Sequence, residues 1–396
     1  PGGNHEAAHA DREGASVKIA VVSGLGIVWS TYDPRCVDQD GFGTVAGGEG
    51  AMLRTSFALA ERGHNVEVFA PTKGPTSYRG VRFRPLLDAH LAILTEPFDV
   101  LCSWSDTAAI RYAPPTVRRI FVQQLNDMPQ DLVFWRNVDV IVPASATHGR
   151  FLSQWQPKDS VVGWVPLYGG VLPALWADAL AWPLRKPVVS WWSSPDRGLH
   201  HLLAMWPRIR SEVPSAELRI AYHVERFIRD ARELLSYGET PWRARILESM
   251  LQTAKRAGGV QVLGAIPRKQ LARYQGETKV WAFPFDSICS TEGLSVSMAE
   301  AIACGSWPIA RPDDALLEVY GPYAQWIPAG VCDDAWRTRF ADAVIHALKA
   351  DANPYEAKAS DFARGFTWEQ SARNLERACS MQLKRPDVLE GIAAGM

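Results

Sequence analysis

The sequence lacks the marks of a nucleic-acid binder, a membrane-spanning protein or a disulfide-stapled one. Lys+Arg number 42 against 43 Asp+Glu, a net charge of −1. So even a balance leaves no basic face to follow a phosphate backbone, which excludes nucleic acid as an electrostatic partner. No apolar run reaches the ~18–20 residues that a spanning helix needs. The 6 cysteines, at positions 36, 102, 289, 304, 332 and 379, form no C-x-x-C pair and no zinc spacing. That scatter points to a reduced, cytoplasmic compartment and away from a metal centre. No unit recurs at a period of ~20–50 residues. The chain opens Pro1-Gly2-Gly3-Asn4-His5 with no apolar signal-peptide core, so residues 1–15 read as a polar, flexible leader.

What is present is a chain of 396 residues, 47% hydrophobic, long enough for about two domains with real cores. Val17 to Ser23 is a β-branched run ending in Gly24-Leu25-Gly26, which reads as a buried parallel strand and a turn. A dinucleotide fingerprint would need a third glycine at the position of Trp29, and this argues against an NAD-dependent oxidoreductase. A helix from Glu49 to Arg62 closes at Gly63, and strands follow at 66–71, 81–84, 98–103, 118–123 and 138–142. After a Pro-, Gly- and Trp-rich stretch at 168–187, the alternation restarts with strands at 187–192, 216–222, 260–264, 279–284 and 307–310. Strand–helix alternation of this kind means an α/β chain with two doubly wound parallel sheets. The expected organisation is a leader (1–15), an N-terminal domain (16–175), a C-terminal domain (176–365) and a terminal helix (366–396). The 16 tryptophans read mainly as core filler, with sugar stacking as the alternative use of an indole face. A basic amphipathic helix at 241–257 packs on the second domain or lies on anionic lipid at the inner face of a membrane.

The most informative stretch is Thr291-Glu292-Gly293-Leu294-Ser295-Val296-Ser297-Met298-Ala299-Glu300, running on to Gly305. Two carboxylates with seven residues between them straddle a helix start. On a continuous helix that separation is roughly 12 Å, about the span of a diphosphate with a sugar at each end. The free N–H groups of the helix start favour an anion between them. The alternative is two glutamates on a solvated helix face.

Two Rossmann-like halves with this motif in the second resemble the GT-B glycosyltransferases, and most closely the retaining family 4 type, over roughly residues 17–385. Ala46-Gly47-Gly48-Glu49 resembles the family's Gly-Gly pair, which implies that Gly47 and Gly48 lie against the donor phosphate. Ser194-Pro195-Asp196-Arg197-Gly198 resembles its basic-residue-plus-glycine turn, which gives Arg197 the departing diphosphate. By the same resemblance Glu300 holds ribose hydroxyls, Glu292 the donor sugar, and the amides near Gly293, Leu294 and Ser295 its hydroxyls or phosphate. Ile266 and Pro267 stand where the family contacts the nucleobase. Phe366 to Ala372 resembles the last helix, which crosses back onto the first domain.

The sequence departs from the family twice. Trp191 stands where many relatives carry a second Arg, with Arg219, Lys269 or Arg82 as possible substitutes. The segment Ile120 to Asp127 lacks the usual acceptor-side His. Its polar residues are Gln124, Asn126 and Asp127, and Asp127 either binds an acceptor hydroxyl or caps the next turn. His148 reads as a first-turn helix residue behind Ser145.

The implied reaction moves a sugar from a nucleotide-diphosphate donor of the UDP or GDP type to a carbohydrate, lipid-linked or small-molecule acceptor, with retention and without metal or cofactor. The catalytic candidates are Arg197, Glu292 and Asp127. A nucleotide-sugar epimerase of the same fold and a non-catalytic sugar-nucleotide binder are the competing readings.

Overall fold

The first strand, β1 (Lys18–Ser23), turns Ile19 and Val21 to one face and Ala20 and Val22 to the other, and all four are buried. A strand apolar on both faces belongs inside a parallel sheet covered by helices on each side. This is what the computed structural model contains, twice over. It describes residues 16–23, 33–38, 47–72, 76–233, 240–286, 292–328 and 331–382. The leader, the Gly24-Leu25-Gly26 turn with Trp29, Ala46, Cys289 and Thr291 lie outside the described residues.

Around β1 stand α1 (Gly47–Glu61), β2 (Asn65–Ala70), β3 (Thr76–Tyr78), β4 (Val81–Pro85), α2 (Ala89–Thr95), β5 (Val100–Trp104) and α3 (Thr107–Tyr112). Then follow β6 (Arg118–Gln123), α4 (Leu132–Asn137), β7 (Val140–Pro143), α5 (Ala146–Leu152) and β8 (Gly163–Trp164). Their sheet runs β3-β4-β2-β1-β5-β6-β7-β8, parallel throughout except for the β3–β4 pair. One face packs on α1 and the other on α2 to α5.

The second sheet begins with β9 (Lys186–Trp191) and α6 (Leu199–Glu212), then β10 (Glu217–Ile220), α7 (Val224–Glu233), α8 (Thr240–Ala257), β11 (Val260–Val262) and α9 (Arg268–Glu277). It continues with β12 (Thr278–Phe283), α10 (Val296–Ala303), β13 (Trp307–Ala310), α11 (Asp314–Tyr320), β14 (Gln325–Trp326), α12 (Asp334–Lys349) and α13 (Glu356–Gly365). The order is β11-β10-β9-β12-β13-β14, all parallel. The last helix, α14 (Trp368–Ser380), leaves this half and buries Trp368, Ala372 and Leu375 on the α1 face of the first sheet.

Trp182, Trp191, Trp206, Trp281 and Trp336 are fully buried in the second core. Leu247 and Leu251 of α8 are buried where α8 meets α6, so its apolar face is covered by protein. The stretch between the sheets is not an open linker, since Trp176 and Trp182 anchor it in the second core through two short 3-10 turns.

Candidate functional site

Contacts between the two halves gather beyond the C-terminal ends of the strands, where open α/β sheets bind ligands. Three segments of the second half meet there: the turn after β9, the chain after β12 that leads into α10, and the start of α9.

The turn after β9 is a 3-10 turn, Pro195–Arg197, followed by Gly198 at φ 109°. A Cβ on Gly198 would stand 2.1 Å from the Pro284 carbonyl oxygen, so this position takes glycine only. Asp286 N–H donates to the Arg197 carbonyl at 3.2 Å and ties the two loops together. Trp191, at the position of the expected second arginine, is a core residue. Its ring lies 5.3 Å from that of Phe283, and its Nε1–H donates to the Ser193 carbonyl.

Arg197 and Glu292 come together. Arg197 Nη1 stands 3.6 Å from Glu292 Oε2 and is buried without a hydrogen-bond partner. Burial raises the Glu292 carboxyl above its usual range, while Arg197 and the Leu294 N–H pull it back. The Glu292 N–H donates to Asp314 Oδ2 at 3.0 Å. The helix begins only at Val296, so Glu292 to Ser295 lie outside it and the roughly 12 Å of helical rise does not measure the carboxylate separation. Ser295 caps the helix, accepting from Met298 N–H at 3.3 Å, and its own carbonyl accepts from the buried Tyr320 hydroxyl at 2.7 Å. Gly305, at φ 78°, follows the helix end.

Glu300 is buried and already paired. Arg268, the first residue of α9, donates to Oε1, and Gln275 Nε2 donates to Oε2 at 3.0 Å. Gln275 is held in turn by Trp176 Nε1–H at 2.8 Å. This contact sets Ile266, half-buried, and Pro267, exposed, beside the Glu300 end of the motif. From the first half, α1 begins with Gly47 and Gly48, and no atom lies within 4 Å of a Cβ built on Gly47. Two turns on, Arg54 is buried and its pKa is lowered to about 10, first by burial and then by the positive charge of Arg268; Glu300 and Asp38 oppose the shift. Arg54 is fixed by Asp38 at 3.2 Å and by the Val37 carbonyl.

His148 joins the halves at the other end. A Cβ on Gly293 would stand 3.1 Å from His148 Cγ, and one on Gly169 would stand 3.0 Å from Leu294 Cδ2. His148 Nδ1 accepts from Ala144 N–H at 3.1 Å, so Nε2 carries the proton and donates to the Leu125 carbonyl at 3.1 Å. Burial holds the ring neutral, with its pKa lowered to about 4.

Asp127 does not cap the following helix. Asp131 does, accepting from Phe134 N–H at 2.9 Å, because it is the residue next to the first turn of α4. Asp127 is exposed and receives Gln123 Nε2 on its carbonyl at 2.5 Å. It lines a polar cleft of about 450 Å³ with Ser105, Thr107, Arg111, Gln123, Leu125 and Asp131. Its link to the Glu292 motif is indirect, through Leu125 and His148.

Neither Arg219 nor Arg82 substitutes for the arginine replaced by Trp191. Arg219 is buried between Glu217 and Glu277 at 2.9 and 3.0 Å, and Arg82 sits on β4 at 3.7 Å from Glu67. Lys269 is exposed beside Arg268, and it is Arg268 that reaches Glu300.

Among the described residues, His200, His201 and Asp286 offer ligand atoms within 4.8 Å of one another, close to Arg197. The donor set fits a metal poorly. Arg337 Nη1 stands 3.4 Å from His201 Nδ1, and a guanidinium only donates, so the proton sits on Nε2, 3.0 Å from Asp286 Oδ2. A metal at Nε2 would push that proton to Nδ1, against Arg337. Burial, opposed by Asp286, lowers the His201 pKa to about 4.

No protein-family model matches the sequence, and no curated protein matches it either. Solved structures do. A sucrose-phosphate synthase from Thermosynechococcus elongatus is 16% identical, covers 96% of this chain and 100% of its own, and superposes with a TM-score of 0.62. The catalytic domain of starch synthase IV from Arabidopsis thaliana, bound to ADP and acarbose, is 13% identical over 92% of this chain and 99% of its own, with a TM-score of 0.65. A trehalose 6-phosphate synthase from Burkholderia multivorans is 14% identical over 96% and 100%, with a TM-score of 0.61. The fold is GT-B. At these identities the likeness is one of fold, and the residue roles stand on the geometry above.

Sequence reading missed Arg54, Arg268 and Gln275, and it missed the packing of His148 on Gly293. Arg268 had a signal in its place directly after Pro267. The others are visible only once α1, α9 and α10 are brought together.

Proposed function

We propose that the chain is a glycosyltransferase that moves a sugar from a nucleotide-diphosphate donor, of the UDP or GDP type, to an acceptor hydroxyl. In this reading residues 176–365 form the donor side and residues 16–175 the acceptor side, with 366–396 as the helix that ties them. The observation that carries it is the arrangement of Arg197 and Glu292. A buried guanidinium nitrogen without a hydrogen-bond partner faces a buried carboxylate at the open end of a serine-capped helix. A cation and free amides at one point suit the oxygens of a diphosphate, and the carboxylate suits sugar hydroxyls.

The roles follow. Glu300 accepts ribose hydroxyls on the lone pairs that Arg268 and Gln275 leave free. Ile266 and Pro267 border the base. Gly47 and Gly48 open α1 towards the phosphates, and Gly198 lets its loop pack closely on Pro284. Glu292 and the Gly293–Ser295 backbone take the donor sugar. As the C1–O bond to the diphosphate breaks, negative charge grows on the leaving phosphate. Arg197 and the α10 amides meet that charge without reorganising. A front-face transfer lets the leaving phosphate oxygen accept the proton of the incoming hydroxyl, giving retention with no separate base and no metal. The acceptor is a carbohydrate, a lipid-linked sugar or a small molecule, and the polar cleft around Asp127 is where its hydroxyls are held.

The test is incubation with UDP- and GDP-sugars and an acceptor panel. Release of nucleoside diphosphate together with a glycosylated product is expected. An isomerised donor in the absence of acceptor points to an epimerase, and tight nucleotide binding without turnover points to a binding protein.

A further inference from the structure

Glu318 lies on α11, in the second half of the chain, yet its carboxylate is spent on the first. Oε2 accepts from Thr147 N–H at 2.6 Å and from Thr147 Oγ1–H at 2.5 Å. Oε1 accepts from Ala146 N–H at 3.1 Å and from the Tyr168 hydroxyl at 2.9 Å. Arg150 Nη2 stands 3.7 Å away. Four donors on one carboxylate, every one from the opposite half of the molecule, are more than a surface ion pair would supply.

Two further observations say what this contact does. Tyr168 holds φ 51°, a conformation that a tyrosine rarely adopts. It is kept there from within its own half, its N–H donating to the Ala144 carbonyl at 3.1 Å and its carbonyl accepting from Ser371 Oγ at 2.9 Å. The strain delivers its hydroxyl to Glu318. Next, Ala146 and Thr147 directly precede His148, whose ring lies against Gly293 of the donor motif. The carboxylate therefore grips the same turn of α5 that touches the donor segment.

We propose that Glu318 is a positioning residue that clasps α5 and Tyr168 and holds the Glu292–Ser295 segment against the first half of the molecule. Without the clasp the two halves separate and the donor segment loses its seat on His148. The contact is not part of the donor chemistry, and only its kinetic consequence rests on the glycosyltransferase reading.

The full chain with Glu318→Ala, Glu318→Gln and Tyr168→Phe tests it by two readouts that need no substrate. Glu318→Ala is expected to raise the radius of gyration in small-angle scattering and to speed amide exchange at Ala146 and Thr147 by about tenfold. Glu318→Gln keeps one acceptor oxygen but sets its amide N–H against the backbone N–H of Ala146 or Thr147, so it is expected to fall between wild type and Glu318→Ala. Tyr168→Phe, which removes one of the four donors, shifts both readouts in the same direction by less. Unchanged scattering and exchange in Glu318→Ala and Tyr168→Phe overturn the proposal. In a transfer assay, Glu318→Ala raises the acceptor KM and lowers kcat, while affinity for free nucleoside diphosphate stays near wild type. Opening of the halves in a protein that transfers no sugar supports the clasp and removes the functional reading instead.

Discussion

The two ends of the Glu292–Glu300 motif are both buried carboxylates facing a guanidinium, yet they differ in how far they are satisfied. Glu300 is bonded on each oxygen, by Arg268 and by Gln275. Glu292 sees Arg197 across 3.6 Å, with the facing nitrogen left unbonded. A buried polar group without a partner costs free energy, and such groups survive in folded chains where they serve something else. On the proposed function, the Glu300 end, assigned to the nucleoside, is preorganised, and the Arg197–Glu292 end, assigned to the sugar and phosphate, is held open. In that proposal a ligand adds to existing bonds at Glu300 and makes the missing ones at Arg197, the group assigned to the developing charge.

The largest effect is expected at the loop that carries Arg197. In Gly198→Ala the new Cβ meets the Pro284 carbonyl, so the backbone must move and stability drops by about 3 kcal/mol or more, read by chemical denaturation. A wild-type midpoint would show that the loop is not locked. Next, Arg197→Ala is expected to lower turnover by about 100-fold with a smaller change in KM. Equal losses in turnover and nucleotide affinity would erase the distinction between the two ends.

At the other end, Glu300→Ala is expected to weaken nucleoside diphosphate binding by about 10- to 100-fold, the range for hydrogen bonds to a charged group. Turnover at saturating donor should change far less.

The smallest effect is in stability against pH and concerns His148, where the halves touch. Its native pKa of about 4 lies below the usual value near 6.5, so between those values the unfolded chain binds more protons. Stability from this group is present above pH 6.5 and is lost as pH falls towards 4. At pH 5 the loss is about 2 kcal/mol, and His148→Gln should flatten that part of a urea-unfolding profile.

The central strands were legible in the sequence because they are buried on both faces and so read as continuous apolar runs, as at Val188-Val189 and Ile120-Phe121-Val122. The edge strands β3 and β14 were not, because two or three residues carry no period and pair only where a neighbour offers an edge. Gly305 announced the end of α10 by local chemistry, since a left-handed closure depends on the residue itself. The partners of the two glutamates left no such trace. Arg268 lies 32 positions from Glu300, and the folding of the second half brings them together; Glu318 lies 171 positions from Thr147, and only the packing of one half on the other joins them. Trp191 was legible as a missing charge, and the packed structure turns it into a core ring packed beside Phe283.

The central claim is that Glu292 to Glu300 is a nucleotide-sugar donor site. Titration of wild type and Glu300→Ala with UDP and GDP by calorimetry tests it most directly. The account predicts saturable binding of at least one of them to wild type and a loss of about 10-fold or more in the variant. Absence of binding by both, or equal affinity in the two proteins, would contradict it.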